Sequence, residues 1–103
     1  MLDDRTELAP PGEEALVIGQ EYVIIAAEGF ESDVNRYKGI RVVLDAGGED
    51  QLAIALWKGA MVARTSKLGA FIVALGNQHA DWIGHTIKIV EWEDKKRKVE
   101  RID

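Results

Sequence analysis

The stretch from Ala63 to Glu93, ARTSKLGAFIVALGNQHADWIGHTIKIVEWE, decides how the chain is read. Thr65 or Ser66 supplies an N-cap, since a side-chain oxygen there accepts an amide hydrogen bond that the first helical turn leaves unmade. Leu68, Phe71, Ile72 and Leu75 follow at i, i+3, i+4 and i+7, one apolar helical face. Gly76 is the terminator. Asn77 to Asp81 form a polar connector. From Trp82 the period becomes two, with Ile83, Ile87, Ile89 and then Glu91 on one face and Lys88, Val90 and Trp92 on the other. A single capped helix thus runs into a long strand.

The rest of the chain is rich in strand signals. Gln20 to Ala27 is β-branched and aromatic at its centre, and a first strand is expected within Ala15 to Phe30. Gly29 suggests a bulge or bend there. In the second strand, Arg36 to Ala46, Ile40, Val42 and Leu44 alternate with Arg41, Val43 and Asp45. Gly47-Gly48-Glu49-Asp50 is a turn signal, so a hairpin is expected with Gln51 to Trp57. There Leu52, Ile54 and Leu56 face one way, and Ala53, Ala55 and Trp57 the other. Glu93 to Lys98 reads as a charged turn before a short closing strand that contains Val99 and Ile102.

The order is strand, strand, strand, helix, strand, strand. An SH3-like barrel lacks the helix, and a ferredoxin-like fold needs two. A mostly β fold is therefore expected: a five-stranded Greek-key barrel of the OB type, with its short helix between strands 3 and 4.

Composition sets further bounds. The 103 residues suit one domain. No apolar run approaches the roughly 20 residues of a membrane span, and the acidic start of the chain is unlike a targeting peptide. There is no cysteine, which excludes disulfides and thiolate metal sites and fits a cytoplasmic protein. His79 and His85 lack neighbouring carboxylates at metal-ligand spacing, so no metal and no cofactor is expected. No nucleophile elbow, Walker loop or dinucleotide fingerprint is present, so an enzyme is not expected.

The net charge is −5, of which residues 1–14 carry −4. That segment holds Pro10-Pro11-Gly12, five acids and no apolar period. It is expected to be a disordered acidic tail, ahead of a nearly neutral domain at 15–103.

The segment Ser66 to Gly76, followed by Asp81-Trp82-Ile83-Gly84-His85-Thr86-Ile87-Lys88-Ile89, resembles small phage and archaeal OB-fold proteins of the single-stranded-DNA-binding type. In those proteins a short helix ends in Leu-Gly and an Asp-Trp-Ile-Gly-Lys turn opens the fourth strand. Arg36-Tyr37-Lys38-Gly39-Ile40-Arg41-Val42-Val43-Leu44 is similar to their second strand. The likeness spans roughly residues 17–92, and His85 stands where the pattern has lysine. It implies binding of single-stranded nucleic acid, DNA before RNA; a membrane partner is not expected, given the lack of a bilayer-length apolar run. It also implies that Trp82 is a structural plug.

Such binding needs aromatic platforms and a cationic groove, which OB-folds place across strands 2 and 3 and their flanking loops. The candidates are Trp57 and Tyr37 for stacking. Lys38, Arg41, Lys58, Arg64, Lys67 and the run Lys95-Lys96-Arg97-Lys98 would meet phosphates. The competing expectation is a module for a protein partner or a second copy, which the nearly neutral body and acidic tail favour.

Overall fold

The computed structural model describes residues 12–31, 38–47, 51–58 and 63–103. Five antiparallel strands, β1 (Glu21–Glu31), β2 (Lys38–Asp45), β3 (Gln51–Lys58), β4 (Thr86–Glu93) and β5 (Lys96–Arg101), form one sheet in the order β3-β2-β1-β4-β5. The single α-helix among the described residues, α1 (Lys67–Leu75), lies between β3 and β4 in sequence. It packs against both β3 and β5, the two edge strands of the sheet. Short 3-10 turns, Glu13–Ala15 and His79–Trp82, precede β1 and β4. The expected strand order and helix position are therefore present. Among the described residues no ladder joins β3 to β5, so the sheet stands open where a closed barrel was expected.

Alternation builds the core. Tyr22 and Ile24 of β1, Val42 and Leu44 of β2, Leu52, Ile54 and Leu56 of β3, and Ile87 and Ile89 of β4 are all buried. Full burial of such a side chain contributes roughly 1.5–3 kcal/mol, so this inward face dominates the packing. Leu68, Ala70 and Phe71 of α1 close over it. The helix begins where expected: Ser66 Oγ accepts from the Gly69 amide at 3.0 Å. It stops at Gly76, whose φ of 92° and ψ of 173° lie in a region open essentially to glycine alone. Trp82 is fully buried against Phe71, and its indole Nε1 donates to the Gly76 carbonyl at 2.9 Å.

Several local expectations are corrected. The bulge in β1 falls between Ile24 and Ala26, not at Gly29. Ile25 points outward beside Val23, and the extra residue shifts the alternation so that Ala27 rather than Ala26 points inward. Residues 79–82 coil as a 3-10 turn, and β4 starts only at Thr86, because Trp82 is drawn into the core by its ring and its hydrogen bond. A second bulge between Ile89 and Glu91 changes the parity of β4. Trp92 therefore packs on the core rather than sharing the outward face with Lys88. The β4–β5 turn is only Asp94-Lys95, with Lys95 at φ 62°. Lys96, Arg97 and Lys98 are strand residues paired with Glu93, Trp92 and Glu91, not loop residues. Opposite charges facing across an antiparallel pair favour that register.

The end of the acidic segment also differs from a solvated leader. Glu13 accepts from Lys67 Nζ, and from Trp92 Nε1 at 2.7 Å. The tail expected over residues 1–14 otherwise lies, as 1–11, outside the described residues. No helix among the described residues is long and apolar enough to cross a membrane.

Candidate nucleic-acid interface

Antiparallel register places one row of special composition on the outward side of the sheet. Phe30 of β1 faces Gly39 of β2, and Gly39 faces Trp57 of β3. Glycine in the middle leaves a gap, and the two rings meet across it, edge to face, with centroids 4.7 Å apart. Edge-to-face packing is the arrangement the ring quadrupoles prefer. A Cβ at position 39 would fall 3.0 Å from the Phe30 ring and 2.7 Å from the Leu56 carbonyl oxygen, so the row depends on that glycine. Trp57 keeps 48% of its surface exposed.

The neighbouring rows carry the charge. Lys38 and Lys58 are direct cross-strand partners, with Glu31 on the β1 side of Lys38. By alternation this row points to the opposite side of the sheet from Trp57, the side of Ile40 and Leu56. On the other side Arg41 stands between Glu28 and Ala55, and Val43 between Ala26 and Ala53. The outward surface is thus an aromatic pair over small side chains, with Arg41 as its cation.

The remaining candidates divide. Arg64, Lys95, Lys96, Arg97 and Lys98 line a different feature, a groove of about 510 Å³ between α1 and the β4–β5 hairpin. Thr65, Ala70, Val73, Glu91 and Val99 complete it. Arg97 is partly committed to the fold: its guanidinium lies 5.7 Å from the Trp92 ring centroid, and Nη2 is 4.0 Å from Asp94. Its Nε is buried without a hydrogen-bond partner. Lys67, expected to meet phosphate, instead pairs with Glu13. Burial of the Glu13 carboxyl raises its pKa. The hydrogen bonds from Lys67 and Trp92, with the charges of Lys67 and Arg97, outweigh this and hold it below its ordinary value. Tyr37 lies outside the described residues.

Phe30 is the site residue that the sequence reading missed. It follows Gly29 at what looks like a strand end, and its face is set by the bulge at Ile25. The signal that could have found it is Gly39, a glycine opposite an exposed tryptophan on a strand otherwise rich in branched side chains. No family model, no curated protein and no solved structure matches the chain.

Proposed function

We propose that this sheet and helix are an open variant of the OB arrangement and that its outward β1–β2–β3 face binds single-stranded nucleic acid. The connectivity supports the fold reading: β1 pairs with both β2 and β4, and the one helix packs on the two edge strands that barrel closure would join. The observation that carries the function is the Phe30–Trp57 pair over Gly39, with Arg41 on the same outward face. Bases stack on an exposed aromatic whatever their sequence, and Arg41 meets the backbone that joins them.

The test is anisotropy of a fluorescein-labelled oligothymidine at low and at high salt. Binding is expected to weaken steeply with salt as counterions are released. Trp57→Leu is expected to lose about 1–3 kcal/mol of affinity while remaining folded. Salt-insensitive binding, or a folded Trp57→Leu that binds like the parent, overturns the assignment.

A second reading has its own observation. Val23 and Ile25 are exposed on the same outward side, next to Ala26, Ala53 and Ala55, where Arg41 faces Glu28. Such an apolar, nearly neutral face suits a protein partner or a second copy. That reading predicts association that survives high salt, read by sizing of the free protein.

A further inference from the structure

We propose that the groove between α1 and the β4–β5 hairpin is a docking site for a partner's peptide in which carboxylates alternate with aliphatic side chains. This goes beyond the outward face and rests on other residues.

The groove's wall and floor differ in chemistry. Arg64, Lys95, Lys96 and Lys98 supply the wall, and Glu91 is the one acid among the lining residues. Ala70, Val73 and Val99 supply an aliphatic floor. Val73 is 59% exposed on a helix whose other face is buried, so its side chain has apolar surface to offer. Burying it under a partner's aliphatic group removes that surface from water. The cations are arranged for carboxylates, since charge-assisted bonds from lysine and arginine are the stronger kind.

Two features favour a peptide over a nucleic-acid strand here. None of the lining residues is aromatic, so a base finds no stacking platform. The ring nearest the groove's cations, Trp92, is already occupied: Arg97 covers it, Phe71 packs edge-on at 6.1 Å, and Glu13 holds its Nε1. An aliphatic side chain has a seat on Val73, whereas a sugar-phosphate backbone does not use one. Alternation in an extended peptide puts every second residue on one side, so acids reach the hairpin while aliphatics reach the helix.

The experiment measures anisotropy of a fluorescein-labelled octapeptide of alternating glutamate and leucine. A same-charge octapeptide of glutamate and serine is the control. The leucine peptide is expected to bind the full chain at least tenfold tighter than the serine peptide. Val73→Asp and, separately, Lys96→Gln with Lys98→Gln are each expected to weaken it at least tenfold, with unchanged circular dichroism as the folding control. Oligothymidine is expected not to displace it. Equal binding of the two peptides reduces the groove to simple ion attraction and overturns the proposal. Displacement by oligothymidine that is insensitive to Val73→Asp assigns the groove to nucleic acid and overturns it too. Peptide binding that appears only when residues 1–11 are removed assigns the groove to the chain's own acidic segment instead of a partner.

Discussion

Trp82 and Trp57 are the same residue in opposite circumstances. Trp82 has no exposed surface, packs on Phe71 and gives its indole hydrogen to Gly76. Trp57 leaves nearly half its surface outside and meets Phe30 by an edge. The backbone around each explains the difference. The Leu75-Gly76 turn and the 3-10 turn at 79–82 carry Trp82 inward to a carbonyl that the helix end leaves without an amide partner. Trp57 sits where strand alternation points it away from Leu56, so reaching the core would reverse its strand. A polar handle satisfied inside a core makes an indole structural, while an indole that keeps nearly half its surface outside offers area to a ligand.

The comparison is broken most severely at Trp82. Trp82→Ala removes the largest fully buried side chain and the donor to Gly76. It is expected to cost about 3–5 kcal/mol, read as a shift of the urea midpoint at unchanged slope. Trp57→Ala gives up a ring contact worth about 0.5–1.5 kcal/mol beyond its buried area and is expected to move the midpoint far less. If the two variants lose equal stability, the division into structural and surface tryptophan is wrong.

Next in size is Gly69→Ala, which tests how tightly the helix carrying Phe71 is seated. Helix propensity alone favours alanine by about 1 kcal/mol. A Cβ at 69, however, would collide with the Ala63 carbonyl and crowd the Ser66 cap at 2.9 Å. Overpacking of that kind costs typically 1–3 kcal/mol, so the substitution is expected to destabilise. A rise in thermal midpoint would show that the Ala63 turn yields freely, and that Trp82 rests on a looser helix than described.

Gly39→Ala addresses the other side. The added methyl sits between the Phe30 ring and the Leu56 carbonyl. It is expected to spread the aromatic pair and to weaken oligothymidine binding by about as much as loss of one stacked base, 1–3 kcal/mol. The measurement is the anisotropy titration used for Trp57→Leu. Unchanged affinity in a folded Gly39→Ala would mean that the pairing of the rings has no part in binding.

These positions also show what could be read from residue order. The Ser66 cap, the Gly76 stop and the alternation of β2 and β3 are set by near neighbours, and they appear where the pattern puts them. Trp92 could not be placed, because the bulge at Val90 depends on which residues of β5 sit opposite. The bulge at Ile25 hid Phe30 for the same reason. The cationic run was legible as charge but not as geometry. Glu91 and Glu93 pair in register with Lys98 and Lys96, so EWEDKKRK encodes a tight hairpin before it encodes a site. The pairing of Glu13 with residues 54 and 79 positions away has no local signature at all.

Trp92 completes the comparison as the middle case: half-buried, with its indole hydrogen bonded to a carboxylate near the surface rather than to a buried carbonyl. Its anchor should therefore depend on pH where that of Trp82 does not. The Glu13 carboxyl titrates below its ordinary value of 4.5 in the folded protein. A depressed carboxylate contributes its stability fully above the unfolded value and loses it as pH falls through the folded one. The pair is partly exposed, with side chains about one-third accessible, so the contribution is discounted to less than about 1 kcal/mol. Glu13→Gln keeps an oxygen for Trp92 but discards the charge facing Lys67 and Arg97. The variant is expected to be slightly less stable at pH 6 and to converge on the parent below pH 4, in urea titrations run across that range. Parallel loss of stability in the two proteins from pH 6 to 3 would show that Glu13 does not fasten the hairpin to the helix, leaving Trp92 held by Phe71 and Arg97 alone.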